Sequence, residues 1–383
     1  MRRDGADRFE HLVNEAGFPA RSRSMTFPAR TTSQRDPSAT TATLDALLDP
    51  QLKTALAALD GAAPILAGMA NYHLGFVDAD FTPVTPSAAI RGKRIRPGIA
   101  MLACGAAGGD PRIAAPLAAA VELLHNFTLV HDDIQDQSPS RRHRPTVWTL
   151  WGIAQAINAG DAIFAASHRA LYRLRDEGVD PGLVLRIADR FDQMTIEIVQ
   201  GQALDLDFEG RADVTPENYL EMIALKTAVI VQFAAWGGAL LAGASDAQAD
   251  RFGAFGLSLG IGFQVRDDLL GIWGSTATTG KAEADDIRRR KQSLPILMLR
   301  ERASEEDRAT LDLIYADDEI DEQGIRTVLE LLDRSAVRAD LEQRIAAFHD
   351  DARPALVAAA LAGENGYRDA MEQLVDVLSN REH

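Results

Sequence analysis

Two short acidic sequences, each preceded by an apolar run, constrain this chain more than any other feature. The first is DDIQD at 132–136, and the second begins with DD at 267–268. Residues four apart lie on one face of a helix, so Asp132 and Asp136 project from the same side. Carboxylates grouped at the end of an apolar helix are costly unless they bind something, and Mg²⁺ takes carboxylate oxygens. The two motifs therefore predict two helices that face each other across a Mg²⁺ site.

The composition predicts an all-α protein. The chain has 383 residues, of which 46% are hydrophobic, and a net charge of −16 at pH 7. This length suffices for one large domain or two ordinary ones, and the abundance of Ala and Leu favours helices. No segment of any length shows the alternation typical of a strand. The negative charge argues against a general nucleic-acid-binding protein.

The chain is expected to be a cytoplasmic protein without a membrane span. Its single cysteine, Cys104, allows no internal disulfide, which fits a reducing compartment. The most hydrophobic stretch, 228–244, is short for a membrane span and reads as a buried core helix. Residues 1–40 are polar and predict a disordered extension, which leaves 41–383 for the functional domain.

Basic residues lie close to the acidic motifs, although the chain as a whole is acidic. Lys93 and Arg96 belong to the sequence GKRIRP at a predicted helix start, where free N–H groups favour anions. Arg141 and Arg142 follow the first motif, and the planar fork of arginine takes two phosphate oxygens at once. Lys226 stands in an apolar segment, where it needs a ligand or a carboxylate partner. These positions predict phosphate binding beside the metal.

The order of these motifs resembles the trans-isoprenyl diphosphate synthases of the polyprenyl synthetase family, over roughly residues 45–375. The resemblance rests on Gly92, Lys93, Arg94, Arg96, Pro97, His125, Asp132, Asp133, Asp136, Arg141, Arg142, Gly201, Gln202, Lys226, Thr227, Gln264, Asp267, Asp268 and Lys281. It implies an isoprenoid-synthase-type helical bundle around a deep central cavity, usually as a homodimer. The implied reaction joins isopentenyl diphosphate to an allylic diphosphate and releases pyrophosphate, so the expected partners are small diphosphate substrates.

Carried over position by position, the resemblance implies two neighbouring diphosphate sites. Three Mg²⁺ ions, or Mn²⁺ in their place, would be held on the allylic diphosphate by Asp132, Asp136 and Asp267, with support from Asp133 and Asp268. The same diphosphate would contact Arg141, Lys226 and Lys281. Isopentenyl diphosphate would contact Lys93, Arg96, His125 and Arg142. Thr227 and Gln264 would stand near the reacting carbons.

The resemblance also carries an expectation about product length. In this family, the residues four and five positions before the first motif lie beneath the growing chain, and here they are Thr128 and Phe127. A small residue at the fourth position and an aromatic one at the fifth, with no insertion in the motif, form a pattern similar to that of the geranylgeranyl diphosphate synthases. We therefore expect mainly a C20 product, with farnesyl diphosphate or a longer polyprenyl diphosphate as the alternative. Ordinary core packing is the alternative role for Phe127.

One position departs from the family pattern. Many relatives end the second motif with a third Asp, and this chain has Gly271 there. Because Asp267 and Asp268 remain, we expect activity to survive the difference.

Three other kinds of protein compete with a synthase. A class I terpene cyclase shares the first motif, but it usually carries an Asn/Ser/Glu metal motif on the second helix and does not need Lys93 and Arg96. A catalytically silent partner subunit usually loses acids of the first motif, and this chain keeps all of them. A cation-buffering bundle gains nothing from Arg141 and Arg142. Of these four kinds of protein, a synthase explains the largest number of the acidic and basic residues named above.

Overall fold

The structure is a computed structural model that describes residues 37–85, 92–209, 211, 213–274, 283–317, 319–359 and 366–379. Residues 1–36 of the predicted extension, and Lys281, lie outside the described residues. The first helix begins at Pro37, inside the segment predicted to be an extension.

Helices make up 79% of the structure, as predicted. The N-terminal half contains α1 (Pro37–Leu56), α2 (Pro64–His73), α3 (Ile95–Ala106), α4 (Ala115–Gln135), α5 (Val147–Trp151), α6 (Ile153–Tyr172) and α7 (Pro181–Phe208). The C-terminal half contains α8 (Pro216–Ile223), α9 (Val229–Leu241), α10 (Asp246–Trp273), α11 (Asp285–Arg288), α12 (Leu294–Arg302), α13 (Glu305–Ala316), α14 (Glu322–Arg334), α15 (Val337–Ala359) and α16 (Gly366–Ser379). Short 3₁₀ turns cover Ala57–Leu59 and Arg173–Glu177, a π turn covers Ala224–Ala228, and a hairpin pairs β1 (Ser140–Arg141) with β2 (Arg144–Pro145).

Side-chain caps fix where the helices that carry the site begin. The Thr215 hydroxyl accepts a hydrogen bond from the backbone N–H of Asn218, whose side-chain oxygen accepts one from the backbone N–H of Thr215, and Pro216 opens α8. The sequence Thr215-Pro216 predicts such an N-cap with proline at the first helical position. Asp180 caps α7 ahead of Pro181, with its side chain accepting from the backbone N–H groups of Gly182 and Leu183.

The sequence pattern predicts one continuous helix over Trp148–Asp176, and the structure shows that this prediction is wrong. The chain breaks between α5 and α6 at Gly152, whose φ of 82° lies outside the helical region. Glycine adopts this conformation at no steric cost, so it can end one helix and start the next. The helix then tightens into a 3₁₀ turn at Arg173 and ends at Gly178, which has a φ of 80°.

Helix α10 joins the two halves of the hydrophobic core. It packs against α9 and α15, and Phe252 and Phe255 in its first half belong to the core cluster that also includes residues of α3 and α4. Its second half packs with α8 and α12, and Val265 and Leu269 belong to the second cluster. The acidic motif at 267–268 therefore emerges from a helix that is anchored on both sides.

One helical run, Pro216–Leu241, is long and apolar enough to cross a membrane by length and composition, but 83% of its most apolar window is buried inside the protein. The prediction that 228–244 forms a core helix is confirmed by α9. Gly238 lets α9 approach α3, because a Cβ there would stand 3.0 Å from the carbonyl carbon of Ala100.

Candidate active site

A cavity of about 760 Å³ opens between the ends of the helices that carry the acidic motifs. The predicted residues that line it are Asp136, Lys226, Thr227, Gln264 and Asp268. Further acidic and basic residues complete the wall, namely Asp205, Asp286, Arg289, Arg290, Lys291 and Arg300. Carboxylates and cations thus share one cavity, as a site for metal-bound diphosphate requires.

The first motif stands at the C-terminal end of α4, where the helix dipole is negative and adds to the cost of grouped carboxylates. Asp133 is only 2% exposed, and its Oδ1 accepts a hydrogen bond of 2.8 Å from Nε of Arg141. Burial, with the charge of Asp136, raises the pKa of Asp132 to about 6 against the opposing charge of Lys226. Arg141 therefore pairs directly with Asp133, and not with Asp132 or Asp136.

A tight hairpin places the two arginines after the motif. Arg142 and His143 form its turn with positive φ angles of 51° and 60°. The Arg142 side chain then lies against Gly92, since a Cβ on Gly92 would stand 2.7 Å from Nη2 of Arg142. Arg141 is thereby directed to the first motif, and Arg142 to the segment that carries Lys93 and Arg96.

The second motif is linked to the π turn by a chain of side chains. Oγ1 of Thr227 donates to Oε1 of Gln264 at 3.3 Å, and Nε2 of Gln264 donates to Oδ1 of Asp268 at 3.1 Å. Asp268 is 4% exposed. Burial raises its pKa to about 7, and the charge of Asp286 acts in the same direction. The structure therefore brings together Thr227, Gln264 and Asp268.

Lys226 has the carboxylate partner that its sequence context predicts. Its Nζ donates to Oδ2 of Asp205 at 2.5 Å. Although burial lowers the pKa of Lys226, the charges of Asp205 and Asp132 raise it overall. The π turn brings this part of the chain onto Gly201 of α7, where a Cβ would stand 2.7 Å from Cα of Lys226. Single π turns inside helices occur frequently at functional sites.

A second basic cluster lies beside the hairpin. His125 has a pKa held well below its ordinary value by burial, then by the charges of Arg96 and Arg142. Burial also lowers the pKa of Arg96, against the opposing charges of Glu122 and Asp267. Three of the four residues predicted for isopentenyl diphosphate thus converge. Lys93 is exposed and precedes the first turn of α3, so it does not share a helical face with Arg96.

The residues predicted to set product length lie at the side of α4 that faces α6. The ring of Phe127 is 5.0 Å from that of Phe164 and 4.8 Å from that of His131. Phe164 continues the aromatic stack to His168 at 4.8 Å. The Thr128 hydroxyl donates to the carbonyl of His125 at 2.8 Å. Phe127 is therefore backed by a second aromatic layer from another helix.

The donor set fits a hard divalent cation. The predicted ligands supply carboxylate oxygens, which Mg²⁺ prefers. Oδ2 of Asp133 is buried without a hydrogen-bond partner among the described residues, whereas the Asp268 carboxyl lies against the hydroxyl of Tyr219. No group of three acidic, histidine or cysteine side chains within that part of the chain already converges on one point. This arrangement suits ions that bind one or two carboxylates and complete their coordination with substrate phosphates.

Four residues of the site were not predicted. His73 lies near Arg142 and Asn126, and burial lowers its pKa to about 3. Asp205 pairs with Lys226, Phe164 backs Phe127, and Asp286 faces Asp268. Each of them comes from an element far along the chain from its partner.

The stability of the ligand-free protein should fall as pH rises from about 4 to about 7. Because the pKa of Asp268 rises from 3.8 to about 7 on folding, the folded protein keeps a proton that the unfolded chain releases between these values. The contribution of this group to the free energy of unfolding is therefore largest below pH 4 and smallest above pH 7. Urea titrations across this range should show a shallower pH dependence for Asp268→Asn. An equal slope in both proteins would contradict the burial of an ionisable carboxyl here.

Comparisons with known proteins agree with this geometry. The polyprenyl synthetase family model matches residues 82–332. A (2E,6E)-farnesyl diphosphate synthase from Mycobacterium tuberculosis is 43% identical over 250 residues, which cover 65% of this chain and 67% of that protein. A geranylgeranyl diphosphate synthase from the same organism is 42% identical over 240 residues, covering 63% and 67%.

A crystal structure of a polyprenyl synthetase from Streptomyces coelicolor superposes with a TM-score of 0.79 and 34% identity, covering 90% of this chain and 99% of that one. The helical bundle and its cavity of carboxylates and arginines define the class, an all-α prenyltransferase. Within that class, the chain belongs to the polyprenyl synthetase family.

Proposed function

We propose that this protein is a Mg²⁺-dependent short-chain trans-prenyltransferase that makes mainly geranylgeranyl diphosphate (C20) and pyrophosphate. It would condense isopentenyl diphosphate with dimethylallyl, geranyl or farnesyl diphosphate. One observation carries the proposal: the acidic motifs lie between two separate basic groups, Lys226 in the cavity with Asp136 and Asp268, and the cluster of Arg96, Arg141 and Arg142 on the other side of Asp133. Two basic groups match the two diphosphates that such a condensation brings together.

The residues of the cavity wall have distinct tasks in this reaction. Mg²⁺, when bound, neutralises the charge that develops on the departing pyrophosphate. Arg141 and Lys226 hold the same phosphate oxygens, and their positions are fixed beforehand by Asp133 and Asp205. Neutral His125 donates a hydrogen bond to isopentenyl diphosphate between Arg96 and Arg142. Loss of pyrophosphate leaves an allylic cation, which the apolar part of the wall (Phe208, Met222 and Ile223) shields from water. The alkene of isopentenyl diphosphate attacks this cation and forms the new carbon–carbon bond. A pyrophosphate oxygen then takes the proton that the resulting cation loses from C2, which restores a double bond.

Thr227 and Gln264 position the reacting carbons. Their mutual hydrogen bond ties the π turn to α10, and Gln264 is itself held by Asp268. Asp268 and Asp133 thus support the residues that contact substrate and metal. The metal ligands of the proposal are Asp132, Asp136 and Asp267, with Lys281 as an additional phosphate contact.

Arg96→Ala should raise the Michaelis constant mainly for isopentenyl diphosphate. The loss of one charged hydrogen bond costs about 1.5–3 kcal/mol, which is about a 10- to 150-fold change. Lys226→Ala is the matched comparison, because it should act mainly on the allylic substrate. Steady-state kinetics with each substrate varied in turn separate the two effects. An Arg96 effect confined to the allylic substrate would mean that the two sites are assigned the wrong way round.

A farnesyl diphosphate synthase is the second candidate. The contact of Phe164 with Phe127 favours it, because two packed rings make a more rigid floor than one. The identities to the farnesyl and geranylgeranyl enzymes differ by only one percentage point, 43% against 42%. We place C20 first because the residue pattern at 127–128, without an insertion in the motif, is similar to the geranylgeranyl synthases.

We further propose that the protein works as a cytoplasmic homodimer. Exposed apolar side chains on two adjacent helices form the contact surface, which consists of Ile153 and Ile157 on α6 and Ile196 and Val199 on α7. Burying such a stripe against a second copy removes apolar surface from water. Sedimentation of the wild type should give twice the chain mass, and Ile196→Asp/Val199→Asp should shift it toward the monomer. A monomeric wild type would contradict the proposed homodimer, but it would not contradict the proposed reaction.

The proposed function is tested by the requirements for turnover. Isopentenyl diphosphate should be consumed only when an allylic diphosphate and Mg²⁺ are both present. Consumption of the allylic substrate alone would instead indicate a class I terpene cyclase. Absence of turnover with retained Mg²⁺ binding would indicate a silent subunit or a cation-buffering bundle.

A further inference from the structure

A second, much smaller cavity lies between the C-terminal end of α2 and the hairpin that follows the first acidic motif. Its volume is about 20 Å³, and its wall consists of Tyr72, His73, Asp133, Arg141, Arg142, Arg144, Pro145 and Thr146. A buried water needs about 10–15 Å³ of space and two to four polar partners. Because most of this wall is polar, the cavity has both the room and the partners for one water molecule.

The three arginines of this wall differ in what they bind. Arg144 donates to two backbone carbonyls, at 3.1 and 3.0 Å, and Arg141 donates to Oδ1 of Asp133 at 2.8 Å. Arg142 forms no hydrogen bond and no ion pair with the residues that the structure describes. The arginine proposed to contact isopentenyl diphosphate therefore needs some other group to fix its position.

The side chain of Asn126, which lies next to this cavity, has a fixed orientation. Its Nδ2 donates to the backbone carbonyl of Glu122 at 2.8 Å and to Oε1 of Glu122 at 3.0 Å. Because both partners are acceptors, the amide cannot be turned round, and its Oδ1 can only accept. The imidazole of His73 lies against this amide. The buried Nε2 of His73 and the buried Oδ1 of Asn126 are the atoms left for this contact, since neither has another partner among the described residues.

The tautomer of His73 follows from that contact. Burial, and then the charges of the three arginines, lower the pKa of His73 to about 3, so the ring is neutral near pH 7. A neutral imidazole carries one N–H and one lone pair. Because the N–H stands on Nε2, where it faces Asn126, the other nitrogen, Nδ1, is an acceptor. His73 therefore offers its cavity a hydrogen-bond acceptor, which suits a water or an arginine and does not suit a phosphate oxygen.

Asp133 supplies a second acceptor to the same wall. Its Oδ1 accepts from Arg141, whereas its Oδ2 is buried without a hydrogen-bond partner among the residues described. Leaving a buried carboxylate oxygen unpaired is costly. A water in the cavity would donate to Oδ2 of Asp133 and to Nδ1 of His73, and it would accept from Arg142. Three hydrogen bonds are the usual number for a buried water.

We propose that the small cavity binds one ordered water that joins His73 and Asp133 to Arg142, and that His73 is thereby a positioning residue for isopentenyl diphosphate binding. The role of Arg142 in this inference rests on the proposed function, whereas the water site rests on the cavity itself. Asp133 then supports both diphosphate sites, because it holds Arg141 directly and Arg142 through the water.

Kinetics with isopentenyl diphosphate as the varied substrate test the positioning role. His73→Ala should raise the Michaelis constant for isopentenyl diphosphate by about 3- to 10-fold, the effect of losing roughly one hydrogen bond. The kcat and the Michaelis constant for the allylic substrate should stay within about twofold of the wild type, which is small against the tenfold of 1.4 kcal/mol. A general loss of structure would instead lower kcat and Tm together.

Two further variants separate the roles of the ring nitrogens. His73→Asn keeps an acceptor oxygen two bonds from Cβ, where Nδ1 stands, and His73→Gln keeps a donor three bonds from Cβ, where Nε2 stands. For His73→Asn we expect a Michaelis constant for isopentenyl diphosphate within about twofold of the wild type, and for His73→Gln an increase like that of His73→Ala. The reverse order would overturn the link through Nδ1. This pair also carries the test if the alanine variant fails to fold.

His143→Asn is the matched control, because His143 is an exposed histidine of the same hairpin and takes no part in the cavity wall. Asparagine tolerates the positive φ of 60° at this position. The control should leave both Michaelis constants within about twofold of the wild type.

A crystal structure of the ligand-free wild type should show one ordered water within hydrogen-bond distance of His73, Asp133 and Arg142. A dry cavity in clear electron density, or a wild-type Michaelis constant for isopentenyl diphosphate in His73→Ala, would overturn the inference. A wild type that does not turn over isopentenyl diphosphate would instead overturn the proposed function, while the crystal structure would still decide on the water. The two failures are therefore distinguishable.

Discussion

Asp132→Ala should lower turnover by at least about 100-fold while leaving the fold intact. The variant removes a carboxylate oxygen from the proposed metal site at the point where negative charge develops on the leaving pyrophosphate. Removing one preorganised group that stabilises such charge typically costs about 3–4 kcal/mol. Asp267→Ala should show a loss of similar size from the opposite helix. Product formation at saturating Mg²⁺ measures both.

The matched control for this prediction is Asp250→Ala. Asp250 is an exposed acid on α10, the helix that carries Asp267, and it lies far from the cavity in sequence. It should keep turnover near that of the wild type. Folding is checked by circular dichroism and Tm. Normal turnover in well-folded Asp132→Ala and Asp267→Ala would remove both residues from the metal site.

Phe127→Ala should shift the product distribution from C20 to longer chains. In the proposed site, Phe127 separates the growing chain from Phe164, so we expect its loss to open space toward α6. A helix rises about 1.5 Å per residue, which puts Phe127 roughly 7.5 Å along the axis from Asp132. Chromatography of the dephosphorylated products gives the distribution. Because Phe127 is only partly buried, its loss should cost less stability than the roughly 3–5 kcal/mol of a core Phe→Ala change.

The order of effects within the aromatic stack makes this prediction specific. Phe164→Ala alone should lengthen the product less, since Phe127 still blocks the way, and the double variant should lengthen it most. Phe76→Leu is a control in a buried aromatic that takes no part in the stack. An unchanged distribution in an active Phe127→Ala variant would show that Phe127 is ordinary core packing.

Much of this account could be predicted from local sequence. The apolar run before each acidic motif correctly predicts a buried helix with carboxylates at its end, because helical periodicity fixes which residues share a face. The need of Lys226 for a carboxylate follows from the cost of an unpaired charge, and Asp205 meets it. The N-cap at Thr215 depends only on residues within one turn.

The unpredicted residues depend on which helices face each other, and local sequence carries little information about that. Asp205 is 21 residues from Lys226 along the chain, and nothing near it signals the pairing. His73 reaches the arginine cluster from α2, and Phe164 backs Phe127 from α6. Gly271 is read from the sequence only as a missing ligand, because its closeness to the Asp286 side chain depends on how α11 lies against α10. Which neighbour the Phe127 ring contacts likewise becomes known only when the position of α6 is known.

Product analysis with defined substrates tests the central claim most directly. The purified protein is incubated with isopentenyl diphosphate, Mg²⁺ and in turn dimethylallyl, geranyl or farnesyl diphosphate, and the products are separated by chain length. We expect an all-trans C20 diphosphate as the main product, release of one pyrophosphate with each condensation, and no product when Mg²⁺ is chelated. A cyclic hydrocarbon formed without isopentenyl diphosphate, or no condensation with any allylic substrate, would contradict the central claim.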